Sequence, residues 1–235
     1  MTKIQRTLAP ALLLGALAGS LPAARASAQD AAARPPARTL QPPDSPTKAP
    51  DADGFIQRWL VLEPIRRSGS LADGAVRAAV STIYFPDPLT VLPRDGATVT
   101  VGDTVLAWHA VDTSRYNLNL YHFAHALNKP TSNVLFWAVT VIDAPRDISD
   151  VRLAIGSNAA SVWWLNGQEV IGIYNDRQTV IDDGVSKRLT LREGPNVIRA
   201  AIINGGGATD FCARFIDEEG NPVKDFTVRV NAGGR

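Results

Sequence analysis

Cysteine is nearly absent from this chain: Cys212 is the only one in 235 residues. No intramolecular disulfide can form, so a hydrophobic core alone must hold the fold. Cys212 lies in the strand-like run Asp210-Phe211-Cys212-Ala213-Arg214-Phe215 and reads as a small buried hydrophobe. Charge of one sign is also missing, with 24 Lys and Arg against 23 Asp and Glu. That balance excludes the basic field that would draw nucleic acid or anionic lipid. Nothing approaches the ~20 consecutive apolar residues of a membrane-spanning helix. Histidine is scarce: His109, His122 and His125 are the three, and none follows them. The nucleophile pattern G-x-S-x-G and the zinc pattern H-E-x-x-H do not occur, and there is no internal repeat.

The N-terminus carries an address rather than fold. Lys3 and Arg6 give a positive start, Leu8 to Leu21 is apolar, and Ala26-Ser27-Ala28 is a small-x-small cleavage pattern. Residues 1–28 are therefore predicted to be a signal peptide, with a periplasmic or secreted product starting at Gln29. Removing Lys3, Arg6 and Arg25 leaves the basic residues two short of the acidic ones. Residues 29–53 are rich in Ala and Pro and lack core-forming content, which predicts a disordered tether. Residues 54–235 are predicted to form one domain, long enough for its own core.

Strand signals dominate that domain. Phe55 to Leu62 is a dense apolar run closed by Pro64. Ser70-Leu71-Ala72-Asp73 resembles a capping box, and Ala72, Val76, Ala79, Val80 and Ile83 follow at helical spacing until Pro86 and Pro88. Gly102-Asp103 predicts a II′ hairpin. The stretch 115–128 suits a strand through Leu118 and Leu120, followed by a helical turn. Val134 to Ile142 is continuously apolar and predicts a central strand buried on both faces. Asp150 to Ile155, Arg188 to Leu191, Val197 to Ile203, Phe211 to Ile216 and Phe226 to Val230 complete the strands. Glu193-Gly194-Pro195-Asn196 forms a turn between the middle two. Turn signals every 8–12 residues, roughly, indicate an all-β sandwich.

The most informative run is Val162-Trp163-Trp164-Leu165-Asn166-Gly167-Gln168-Glu169-Val170. Asn-Gly supplies the positive φ angles of a type I′ turn. Strand side chains alternate, so Trp163 and Trp164 point to opposite faces. One indole is then expected to line a surface, an edge or a groove. A pyranose offers an apolar C–H face and a hydroxyl rim, which an aromatic ring and polar side chains can match. The expected ligand-binding set is Trp163, Trp164, Tyr174, Asn175, Asp176, Arg177 and Asn204. Tyr116, Tyr121 and Asn158 are further candidates. Trp59, Trp108 and Trp137 lie in apolar runs and are expected in the core.

Residues Val151 to Arg214 resemble the galactose-binding-like jelly-roll of carbohydrate-binding modules and glycoside hydrolases. The matching letters are Val162-Trp163-Trp164-Leu165-Asn166-Gly167, then Leu191-Arg192-Glu193-Gly194-Pro195-Asn196-Val197-Ile198 as a strand pair, then the closing strand Phe211 to Phe215. This resemblance implies a jelly-roll β-sandwich with a small N-terminal helical elaboration. A second resemblance, through Gly54 to Leu62 and Asn119 to Asn128, is to secreted bacterial modules that accompany polysaccharide-degrading enzymes. Some of those are labelled acetylxylan esterase.

Catalysis and metal binding find less support in the residues. An esterase would need a serine such as Ser157 or Ser161 to meet a histidine. Gly102-Asp103-Thr104 mimics a Gly-Asp-Ser signature with the nucleophile replaced. His122 and His125, joined by His109, are the only candidate zinc set. A structural calcium ion, on Asp182, Asp183 or Asp143, is the single cofactor left open. Asp182-Asp183 and Glu218-Glu219 sit beside turn glycines, as solvated acids do. The sequence thus favours non-catalytic binding of a polysaccharide or oligosaccharide. A carbohydrate esterase and a structural domain of an envelope assembly are the alternatives.

Overall fold

The apolar run at 134–142 becomes the strand Val134–Ala144, buried on both faces apart from the half-buried Asp143. The computed structural model describes residues 40–67, 72–158, 160–175 and 177–230. The full length of Val134–Ala144 pairs antiparallel with Gly194–Asn204. Three short segments share its other edge: Thr227–Arg229, Arg58–Leu62 and Ile65–Arg66. Among the described residues this sheet has ten strands. Its main path runs from Leu40–Gln41 through Thr104–Thr113, Arg58–Leu62, Val134–Ala144, Gly194–Asn204 and Ala160–Leu165 to the edge strand Gln168–Ile173. A second, six-stranded sheet is built on Ile148–Ser157 and Asp210–Ile216. The fold is an all-β sandwich, with α1 (Asp73–Ser81) and α2 (Leu120–Ala126) as the helices among the described residues.

Alternation along the central strands makes two cores. Phe136, Ala138 and Ile142 face the second sheet, together with Ile198, Ala200 and Ile202 of the neighbouring strand. Leu135, Trp137 and Val139, with Ala201 and Ile203, face the other way. A sheet apolar on both faces must be covered on both. The outer cover is the stretch between α1 and the strand Thr104–Thr113, which contributes Val76, Ala79 and Phe85, and Leu106 and Trp108 of that strand join the same core. The molecule therefore has three layers: cover, larger sheet and smaller sheet.

The Asn-Gly hairpin forms as expected. Asn166 and Gly167 have φ of 52° and 82°, and Leu165 stands opposite Gln168. The turn is also fastened from outside. Asn166 Oδ1 accepts the Val197 amide at 2.8 Å, and its Nδ2 donates to Asn196 Oδ1 at 3.0 Å. The stretch 115–128 resolves into the short strand Leu118–Asn119 and α2, with the Asn119 side chain accepting the His122 amide at 2.7 Å.

Four expectations are corrected. The tether does not reach Asp53: Leu40–Gln41 pairs with Thr113 and Asp112, and Lys48 bridges to Val228. Residues 29–39 lie outside the described residues. Ser70 and Leu71 of the expected capping box also lie outside them, and α1 starts after Ala72 with no side-chain cap. Ile83, placed on the buried face of that helix by spacing, is exposed, because α1 ends at Ser81. Finally, Leu189–Leu191 and Gly194–Asn204 are not a strand pair. Leu189–Leu191 joins the smaller sheet and Gly194–Asn204 the larger, so the turn between them is a corner. Asn196 plugs that corner: its Nδ2 donates to the carbonyls of Arg192 and Gly194, and its Oδ1 accepts the Arg192 amide.

Candidate functional site

The two tryptophans point to opposite faces, but neither reaches solvent. Trp163 is 0% exposed and Trp164 is 6% exposed. Trp163 lies between the sheets, edge-on to Trp59 and Phe211 with ring centroids at 6.1 Å and 5.5 Å. Its indole N–H donates to Ser161 Oγ at 2.9 Å. Trp164 lies on the outer face, stacked on Trp137 at 5.5 Å and 21°. The expectation that one indole lines a groove is overturned, because the cover seals the face that alternation alone leaves open. Tyr116 and Tyr121 are the exposed aromatic side chains named as candidates. Tyr121 lies on α2 against His125.

A groove of about 520 Å³ opens instead at the seam between the two sheets. One wall is the edge strand Gln168–Ile173, which pairs only with Ala160–Leu165 among the described residues. Its register shifts between Glu169 and Ile171, leaving Val170 as the extra residue of a β-bulge. Ile171 and Ile173 form an apolar floor shared with the core. The opposite wall is Gly184–Val185 at the edge of the smaller sheet, paired with Ile155 and Ala154. Polar groups come from the connecting loop and just beyond it: Asn175, Arg177, Asp183 and Lys187.

The loop is held at several points. Thr179 Oγ1 donates to the Asp210 carbonyl at 3.2 Å and to the Asp210 carboxylate. Asp182 takes both Nε and Nη2 of Arg214, the former at 3.0 Å. The Val180 carbonyl lies against Gly156, where a Cβ would come within 2.2 Å of it. Tyr174 lies across Gly172, where a Cβ would meet its hydroxyl oxygen at 2.3 Å. The Tyr174 hydroxyl donates to Glu169 Oε1 at 3.1 Å, and the Arg77 guanidinium sits 3.8 Å from the ring centroid. One ring face thus already carries a cation. Arg177 and Asp183 form an ion pair inside the groove, and Arg177 Nε is buried there without an acceptor among the described residues.

The groove gathers Tyr174, Asn175 and Arg177 from the expected set. Asp176 lies outside the described residues. Asn204 is elsewhere: it is buried, donates to the Thr131 carbonyl at 2.7 Å and accepts the Gly206 amide at 3.1 Å, so it shapes its own loop. Sequence reasoning missed Lys187 as a lining residue and read Asp183 as a solvated acid. Only the three-dimensional meeting of two edge strands brings them to the groove.

The metal and esterase sets do not assemble. Among the described residues no three His, Cys, Asp or Glu side chains form a metal cluster. His122 and His125 are exposed on α2, whereas His109 sits beside Phe123 at 5.7 Å and bonds Glu63. Each carboxylate considered for calcium faces an arginine: Asp182 with Arg214, Asp183 with Arg177 and Asp143 with Arg229. An adjacent guanidinium repels a divalent cation. Ser161 bonds Trp163, and the buried Ser157 hydroxyl has no partner among the described residues, so neither meets a histidine there. Burial pushes the Cys212 thiol up to about 12, where it is inert as a nucleophile.

Glu63 is a buried carboxylate with several partners. Lys129 Nζ is 2.8 Å away, His109 Nε2 is 3.4 Å away, and the Ala107 amide donates to it at 3.3 Å. Burial pushes Glu63 up, but Lys129, Ala107 and His109 together outweigh it and hold the carboxyl below its ordinary 4.5. A lowered folded value means the contribution is present above the unfolded pKa and is lost as pH falls through the folded one. Denaturant unfolding of the wild type and of Lys129→Met should therefore show a constant stability gap near pH 7. That gap should shrink progressively below about pH 4.5. A gap that does not change between pH 7 and pH 3 would remove this role for the pair.

No family model and no curated protein matches this chain. Among solved structures, a β-glucosidase from Kluyveromyces marxianus is similar over 62% of this chain and 20% of its own, at 19% identity and a TM-score of 0.38. The PA14 domain of the antifreeze protein MpAFP is similar over 83% of this chain and 100% of its own, at 11% identity and a TM-score of 0.44. A GH31 α-xylosidase from Xanthomonas citri is similar over 83% of this chain and 19% of its own, at 9% identity and a TM-score of 0.30. The chain thus spans about a fifth of each glycosidase's length. At these scores the fold assignment rests on the strand pairing and the double core.

Proposed function

We propose that this chain is a secreted or periplasmic, non-catalytic carbohydrate-binding module whose site is the edge groove. The observation that carries this reading is the groove's lining. An apolar floor of Ile171 and Ile173 lies beneath convergent donors and acceptors on Asn175, Arg177, Asp183 and Lys187. Sugar hydroxyls donate and accept at once, so a neighbouring cation and carboxylate suit a vicinal pair of them. Recognition here runs through hydrogen bonds rather than through an indole platform. The esterase alternative lacks a serine paired with a histidine among the described residues.

Titration calorimetry against a panel of neutral and acidic polysaccharides tests the reading. Binding should be weak, with Kd of about 1 mM to 1 µM. Arg177→Ala and Asp183→Ala should each weaken it by roughly tenfold, the cost of a lost or orphaned hydrogen bond of ~1–2 kcal/mol. Binding that is absent across the panel, or unchanged in both variants, would defeat the proposal.

A further inference from the structure

Among the described residues, three charged side chains line the edge groove: Arg177, Asp183 and Lys187. Arg177 and Asp183 form an ion pair, so their charges cancel. Lys187 is left over, with no carboxylate partner among the described residues. Its chain neighbour Arg188 does have one, in Glu218. Lys187 is also exposed, so it is not a strut of the fold.

The backbone that carries Lys187 is nevertheless fixed. The Ser186 hydroxyl donates to the Lys187 carbonyl at 2.6 Å and accepts the Leu153 amide at 2.9 Å. The Ser186 amide donates to the Leu153 carbonyl at 2.9 Å, and Ser186 is buried. These bonds tie the root of Lys187 to the smaller sheet, just beyond the wall strand Gly184–Val185. A root already ordered before binding lowers the entropy cost of using the ammonium. The buried Arg177 Nε is a further donor with no acceptor among the described residues. The Asp183 carboxylate is already engaged by Arg177. The groove therefore offers a ligand more donors than acceptors, and a surplus of positive charge.

We infer that the glycan taken by this groove is acidic, a polysaccharide containing uronic acid. One uronate carboxylate lies on Lys187, and the hydroxyls of the same ring lie on the Arg177–Asp183 pair. This inference rests on the groove being the sugar site and names the class of sugar. A uronate is ionised at neutral pH, and its carboxylate oxygens only accept, which matches a surplus of donors. The carboxylate is bonded directly to a ring carbon, so charge and ring enter one groove together. A sulfate ester carries its charge further from the ring. A neutral sugar leaves the ammonium to water and gains nothing from it.

Calorimetry of the full chain tests this with paired ligands. Oligosaccharides of galacturonate, glucuronate and mannuronate are each titrated beside the neutral methyl ester, in chelator so that no calcium bridge contributes. At least one acid should bind about fivefold more tightly than its ester, the scale of an exposed charge contact. Raising salt from about 0.05 M to about 0.5 M should erase most of that preference. Lys187→Met should bind acid and ester alike, and the exposed position leaves the fold intact. Lys187→Arg keeps the charge and should keep the preference. Equal binding of every acid and its ester by the wild type would overturn the inference and leave the sugar site standing. A preference that survives in Lys187→Met, or tighter binding of a sulfated galactan, would also overturn it. Binding of none of these ligands, nor of any neutral polysaccharide, would overturn the sugar site as well.

Discussion

Trp164→Ala is expected to cost about 3–5 kcal/mol of stability and to leave glycan affinity unchanged. Trp164 is sealed between the larger sheet and its cover, stacked on Trp137. Phe85 stands edge-on to both Trp137 and Trp108, at 5.9 Å and 6.1 Å, so the loss opens a hole in a connected aromatic packing. The surrounding strands are fixed by pairing to their neighbours and cannot collapse to fill it. Guanidinium unfolding gives the stability change. Calorimetry with the best polysaccharide, below the unfolding midpoint, gives the affinity. A variant that keeps its stability but loses binding would return the indole to the site and remove the edge-groove reading.

Asp112→Ala should be comparably damaging, at about 3–5 kcal/mol. Arg58 is fully buried, and Asp112 takes its Nε at 2.8 Å and its Nη2 at 2.9 Å. The remaining Nη1 donates to the Ser45 carbonyl at 2.6 Å, and Lys48 approaches Asp112 at 3.4 Å. Removing the carboxylate leaves a buried guanidinium with Ser45 and the exposed Asp44 carboxylate at 3.9 Å, and releases the segment around Ser45 and Lys48 from the sheet. The double variant Arg58→Met/Asp112→Ala should recover much of the loss, because neither charge is then stranded. Unfolding curves for the three variants and limited proteolysis within 40–50 measure both effects. A single variant within about 0.5 kcal/mol of the wild type would show that the pair does not hold this segment.

The sheet architecture was legible where periodicity and turn chemistry agree. The run at 134–142 announced a strand buried on both faces, and Asn166-Gly167 announced its hairpin. What alternation could not reveal was the cover. A strand's period states that Trp163 and Trp164 diverge, but not what lies above each face. The covering stretch reads locally as a short helix and proline-punctuated loops, with nothing to say where it docks. The same limit explains the tether. Proline and alanine content described 40–53 as unstructured, whereas Asp112 on the adjacent strand and Arg58 on the one beyond hold it. The loop at 174–177 was legible as a polar aromatic loop after a hairpin. Lys187 was not, since it arrives through the meeting of two sheets.

The bulge at Val170 has one more effect. An open strand edge is a template on which other chains can add, and a flat one invites fibres. The extra residue breaks the hydrogen-bonding ladder in mid-strand, and the neighbouring Glu169 puts a charge beside the break. The irregularity in the groove wall therefore also guards the chain against polymerising through that side. Deleting Val170 would straighten that edge into a sticky ribbon.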